Sequence, residues 1–169
     1  MTPGDVRFLP CGEAAVTVEF GNAIDPAISA RVLALDAAMN AERPAGLVET
    51  VPTYRSLMVQ FDPLVFDYDA FVRRVTQLAP TLDPNPKPGR RWKVPVIYGG
   101  EFGIDLEATA ERHNLTPSQL IDKHCAPIYR VYMIGFMPGF TYLGGLDSSI
   151  ATPRRLDPRP HTLAGIISI

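Results

Sequence analysis

With 169 residues, 46% of them hydrophobic and 20% charged, the chain is long enough for one substantial core or two small ones, which excludes disorder over the whole length. Sixteen basic against eighteen acidic side chains give a net charge of −2 with no block of one sign, so neither nucleic acid nor an anionic membrane is indicated as partner. Cys11 and Cys125 lie far apart without a Cys-x-x-Cys pair, which suits a reducing compartment better than a disulfide framework.

The N-terminal stretch carries Asp5 and Arg7 rather than a basic region followed by an apolar one, and no apolar run is long enough to span a bilayer. The expectation is a cytoplasmic protein. Residues 6–10 and 14–20 read as short strands, the second alternating Val16, Val18 and Phe20 against Ala15, Thr17 and Glu19. Asp25 then caps a helix with Pro26 in its first turn, and Ile28, Val32, Leu35 and Met39 recur at helical spacing to about Asn40. Residues 47–51 and 56–61 make a hairpin around Pro52, Thr53 and Tyr54, with Leu57, Val59 and Phe61 on one side. Asp67 caps a second helix whose Phe71, Val75 and Leu78 share a face before Pro80 ends it. This order of strand, helix, strand, strand, helix resembles a split βαβ arrangement with two helices on one face of an antiparallel sheet.

Residues 82–91 place Pro84, Pro86 and Pro88 at alternate positions and end near Gly89, a composition for an extended, semi-rigid linker. The domains are therefore expected at 1–81 and 92–169. The second half opens with an alternating strand at 92–98 that contains Pro95. Asp105 caps a short helix, and Thr116-Pro117-Ser118-Gln119 is a capping box opening another to about His124. Residues 128–134 read as a strand, and so does the closing segment 163–169.

Between these strands lies the most unusual stretch of the chain. Residues 132–147 hold four glycines, one proline and four aromatics in sixteen positions, a mixture that no regular helix or strand tolerates. Such runs supply positive-φ turns, close backbone approach and aromatic faces over a pocket; a glycine- and aromatic-rich corner that only packs is the competing explanation.

Gly135-Phe136-Met137-Pro138-Gly139-Phe140-Thr141-Tyr142-Leu143-Gly144-Gly145-Leu146-Asp147, followed by Thr152-Pro153-Arg154-Arg155-Leu156-Asp157-Pro158-Arg159, resembles the signature of the carboxyltransferase C/D-subdomain family. Val94-Pro95-Val96-Ile97-Tyr98-Gly99-Gly100-Glu101-Phe102-Gly103 and Val51-Pro52-Thr53-Tyr54-Arg55-Ser56-Leu57 extend the similarity over nearly the whole chain. It fails after Arg159, where the family pattern runs on differently and further, so the resemblance implies an incomplete second domain, poorly soluble or oligomeric without partner strands. The fold it implies is α+β: a ferredoxin-like N-terminal domain followed by part of a cyclophilin-like β-barrel.

The residues themselves show little independent chemistry. Gly99-Gly100-Glu101-Phe102-Gly103 lacks the lysine and spacing of a phosphate loop, and His113, His124 and His161 form no ligand-spaced cluster, so no metal site is expected. His113 and His124 are expected to meet helix-terminal carbonyls. Cys125 has a weak case as a nucleophile, since its neighbour His124 points elsewhere on a helix, and no catalytic residue is assigned. Arg154, Arg155 and Arg159, flanked by Pro153 and Pro158, are either forks for a carboxylate or phosphate or solvated arginines paired with Asp147 and Asp157.

The resemblance favours a site. It makes Tyr132, Gly135, Phe136, Pro138, Gly139, Phe140, Tyr142, Arg154 and Arg159 the candidates for substrate or interface binding, with Phe136 equally able to be core. It also implies a non-autonomous subunit of an ATP-dependent 5-oxoprolinase working with A-type and C-type subunits, with ATP and magnesium engaged only at the level of that complex. A KipI-like inhibitor of a sensor histidine kinase and subunit 1 of an allophanate hydrolase or urea carboxylase-type enzyme are the alternatives.

Overall fold

The computed structural model describes residues 6–85, 87–162 and 164–169. It is a mixed α/β structure that divides into two compact units: Met1–Arg90 with Val131–Tyr142, and Arg91–Arg130 with Leu143–Ile169. No helix among the described residues is long and apolar enough to cross a membrane.

The first unit is built on a four-stranded antiparallel sheet of order β1-β2-β4-β3, from β1 (Arg7–Pro10), β2 (Ala15–Glu19), β3 (Leu47–Pro52) and β4 (Ser56–Phe61). Helix α1 (Pro26–Glu42) joins β2 to β3, and β4 inserts between those two strands, the split arrangement that the order of elements implied. Alternation in β2 and β4 sends Val16, Val18, Leu57 and Val59 to one face, where register sets Val16 opposite Val59 and Val18 opposite Leu57. Onto that face α1 lays Val32, Leu35 and Met39, and α2 (Tyr68–Leu78) lays Phe71 and Val75, closing the main core.

Both helices start as their sequence dictates. The Asp25 carboxylate accepts from the backbone N–H groups of Ala27 and Ile28 at 2.7 and 3.1 Å, and Asp67 accepts from Ala70 at 2.8 Å. Arg43 ends α1 in the left-handed conformation, its N–H returning to the Met39 carbonyl. At the β1–β2 edge, Arg7 sits directly opposite Glu19 and pairs with its buried carboxylate, which is what makes a charge tolerable there.

The second unit has a much smaller core, in which Ala110, Leu120 and Ile150 are buried against Leu106, Leu115 and Leu146. Helices α3 (Leu106–Arg112) and α4 (Pro117–Cys125) supply most of it. The Thr116–Gln119 capping box forms in full, with the Gln119 amide oxygen accepting from the Thr116 N–H at 2.9 Å and the Thr116 hydroxyl from the Gln119 N–H at 3.3 Å.

Several expectations are not met. Residues 92–98 carry no strand: Pro95 withholds a ladder donor, no described strand pairs with the segment, and Trp92, Val94, Val96 and Ile97 stay exposed. Leu163 lies outside the described residues, and 164–169 form a turn and irregular backbone rather than a strand. The remaining strands, β5 (Arg130–Ile134) and β6 (Thr141–Gly144), make a two-stranded sheet.

Deleting the centre of the main core should be costly. Leu57→Ala is expected to lower stability by about 2–5 kcal/mol in denaturant unfolding, because the sheet face and both helices hold the vacated space open. Leu64→Ala, at a position 93% exposed, should stay within about 0.5 kcal/mol of the parent.

Candidate functional site

The glycine- and aromatic-rich signature folds as the β5–β6 hairpin, in which the Gly135 N–H donates to the Phe140 carbonyl at 3.0 Å and the Phe140 N–H to the Met137 carbonyl at 3.1 Å. Tyr132 at its base is buried and stacks on Tyr54 of the β3–β4 turn, ring centroids 5.3 Å apart. From there the aromatic contacts run outward: Tyr54 to Tyr142 at 6.1 Å, Tyr142 to Phe140 at 5.1 Å and Phe140 to Phe136 at 5.6 Å, the last three edge-to-face. Burial among these rings raises the Tyr54 hydroxyl above its ordinary value.

The strip ends in solvent. Phe136 is 83% exposed and Met137 is exposed beside it, so Phe136 is neither core nor the wall of a closed pocket. It also holds φ +66°, a left-handed conformation that a bulky residue adopts only at a cost. Gly139 has φ +79° with open space where a side chain would begin, so its requirement is conformational. Gly135 is different: its φ is not positive, and a Cβ there would meet the Met133 methyl at 3.3 Å, so the expected need for positive φ belongs to Phe136 instead. Pro138 is exposed between them.

The arginines pair otherwise than expected. Asp105 accepts from Arg159 at 2.8 and 3.0 Å and from Arg155 at 3.2 Å, which fastens the 155–159 segment to the start of α3. Asp105 therefore makes no side-chain cap on that helix. Asp147 takes Lys123 at 3.3 Å and the Ser149 N–H at 2.9 Å, and among the described residues neither its carboxylate nor that of Asp157 pairs with an arginine, although Arg155 Nε donates to the Asp157 backbone carbonyl at 3.2 Å. Of the two arginines expected to bind, Arg159 is engaged by Asp105 while Arg154 is exposed and makes no ion pair among the described residues.

A second cluster was not foreseen. Tyr98 places its hydroxyl 2.5 Å from His124 Nδ1 and 3.4 Å from Cys125 Sγ, although His124 and Cys125 are neighbours at the end of α4. The Tyr129 hydroxyl donates to the His124 carbonyl at 2.8 Å. Burial lowers the His124 imidazole below its ordinary value and raises the Tyr98 and Tyr129 hydroxyls above theirs. The rings of His113 and His124 thus meet hydroxyls, of Thr152 at 3.0 Å and of Tyr98, rather than terminal carbonyls. No spacing rule joins Tyr98 to a histidine 26 residues on; only the fold does. No group of three His, Cys, Asp or Glu side chains suited to a metal ion occurs among the described residues.

The pattern of the carboxyltransferase domain, subdomain C and D, matches residues 6–169. The chain belongs to that family. It is 45% identical to the B-type subunit of 5-oxoprolinase from Haemophilus influenzae over 123 residues, 73% of this chain and 57% of that protein. It is 34% identical to the same subunit of Bacillus subtilis and 32% identical to that of Escherichia coli O157:H7, each match covering 94% of this chain and 70% and 72% of those proteins. The chain thus spans a little over half the length of the first relative and about seven-tenths of the others. Among solved structures, TTHA0988 superposes with a TM-score of 0.72 at 32% identity, over 86% of this chain and 28% of that one. The urea amidolyase of K. lactis matches in fold alone, with a TM-score of 0.63 at 16% identity over 84% of this chain and 10% of that one.

Two outcomes test the geometry. Hydrogen bonds from Arg159 hold the Asp105 carboxyl below its ordinary value, slight burial opposes them, and Arg155 adds to them. The clamp's contribution is therefore complete above the unfolded carboxyl value of about 3.9 and is lost as pH falls through the depressed folded value. Hydrogen exchange should show 155–159 losing protection only below that range in the parent, and at every pH in Asp105→Asn. At the hairpin tip, Phe136→Gly should leave stability unchanged or raise it by about 1 kcal/mol, while Gly139→Val costs about 1–3 kcal/mol, both read by thermal unfolding.

Proposed function

We propose that this chain is a non-autonomous subunit of an ATP-dependent 5-oxoprolinase, acting with A-type and C-type subunits to open 5-oxoproline to glutamate. The observation that carries the reading is that three relatives, each named as the B-type subunit of 5-oxoprolinase, match at 32–45% identity, two of them over 94% of the chain. The match to TTHA0988 supports dependence on further domains, since the corresponding segment is only 28% of that polypeptide. On this reading the first domain is ferredoxin-like and the second belongs to a cyclophilin-like barrel, and the protein works in the cytoplasm.

On this reading ATP and magnesium are engaged only at the level of the complex; Arg155 and Arg159 of this chain are paired with Asp105. In this reading the nucleotide is held by other subunits, and this chain contributes the hairpin tip at an interface with the C-type subunit. A strained Phe136 supports that role, because beyond its edge-to-face contact with Phe140 the side chain stays 83% exposed, an apolar surface left in solvent at a conformational cost. The urea amidolyase likeness is one of fold, which leaves action on a urea derivative as the second reading.

Purified A-type and C-type subunits should cleave 5-oxoproline only when this chain is added, and the chain alone should turn over neither ATP nor lactam. Phe136→Gly, folded by circular dichroism, should reduce activity of the mixture by about tenfold or more, corresponding to roughly 1.4 kcal/mol of lost interface. Turnover by the isolated chain would remove the subunit reading, and suppression of histidine-kinase autophosphorylation would replace it with the inhibitor reading.

A further inference from the structure

The cluster at the end of α4 contains a nucleophile, a base and a hydroxyl that touches both. Cys125 is exposed, His124 and Tyr98 are half-buried, and the Tyr98 oxygen stands between Nδ1 at 2.5 Å and Sγ at 3.4 Å. Burial pushes the imidazole below and the phenol above their ordinary values. In the Nε2–H tautomer of His124 the phenol donates to Nδ1, its remaining lone pairs face the thiol, and the S–H group is the donor to oxygen.

Tyr129 supports this arrangement by tethering the His124 carbonyl at 2.8 Å and setting its ring 5.5 Å from the imidazole. The His124 ring also lies in the last turn of α4, whose carbonyl end offsets part of the cost of charging the half-buried imidazole as it takes up a proton. These are the parts of a base-assisted thiol, with the orienting group interposed between nucleophile and base.

The geometry points to Cys125 as a peroxide-reactive thiol whose proton is drawn to His124 through Tyr98. In the step, sulfur attacks one oxygen of a small hydroperoxide, the S–O bond forms and the O–O bond breaks. The thiol proton passes to the Tyr98 oxygen as the phenol proton moves to Nδ1, and the relay then returns a proton to the departing oxygen. With hydrogen peroxide the products are a sulfenic acid at Cys125 and water, sulfur being oxidised by two electrons and the peroxide reduced by two.

Cys11 is an internal control, for it is also exposed and free but contacts only the Thr17 hydroxyl at 3.1 Å and the Leu9 carbonyl at 3.6 Å, with no imidazole. The experiment treats the full chain as Cys11→Ser and as Cys125→Ser with hydrogen peroxide and traps sulfenic acid with dimedone. Cys125 should be labelled about tenfold faster than Cys11, a modest part of what a positioned general base supplies. In the Cys11→Ser background, Tyr98→Phe keeps the ring and should remove that advantage. His124→Ala should remove it too, and added imidazole should restore part of it, which a merely structural role would not allow. Equal labelling of the two cysteines, an unchanged rate in Tyr98→Phe, or no response of His124→Ala to imidazole would each overturn the assignment.

Discussion

The pairing of β2 with β4 is the constraint on which the first unit depends. Because Val16 faces Val59 and Val18 faces Leu57, one face of the sheet is a continuous apolar surface, and both helices close on it. A slip of one residue would turn all four side chains to the other face. The same register fixes where β4 begins, and hence the turn from Pro52 to Ser56 that presents Tyr54. Tyr54 in turn is the ring on which Tyr132 stacks, so the seat of the signature hairpin is determined by strand alignment far from it in sequence.

The elements with strong local signals were legible in the amino-acid sequence. Asp25, Asp67 and Thr116 cap helices where their side chains and the following apolar spacing place them, and β4 occupies residues 56–61 as alternation requires. The missing strand has a plain physical cause. A strand exists only with a partner, so the alternating apolar pattern at 92–98 could not decide its own conformation. Charge pairing was similarly nonlocal: Arg155 and Arg159 reach back about fifty positions to Asp105, while the nearer Asp147 is taken by Lys123.

The signature was legible as unusual but not in its detail. Glycine composition announced left-handed backbone, and Gly139 provides it, yet the more informative residue is Phe136, which adopts that conformation without being glycine. Strain and apolar exposure coincide there, and both are local departures of the kind that proteins keep at places where they act on something else. The Tyr98, His124 and Cys125 cluster was hidden for a different reason. Adjacent helical residues normally diverge, but at the C-terminal end of a short helix both reach one hydroxyl.

The clamp of Asp105 on two arginines is made of largely exposed charges, and the aromatic strip from Tyr54 to Phe136 is made of none. Ionic strength therefore acts on them in opposite directions. Added salt screens exposed charges over a distance of about 10 Å at 0.1 M and loosens the 155–159 segment, whereas sulfate or phosphate, excluded from apolar surface, tightens ring packing. The choice of buffer thus becomes a selector of which part of this molecule is held firm, and measurements made in phosphate and in chloride will be reporting on differently braced proteins.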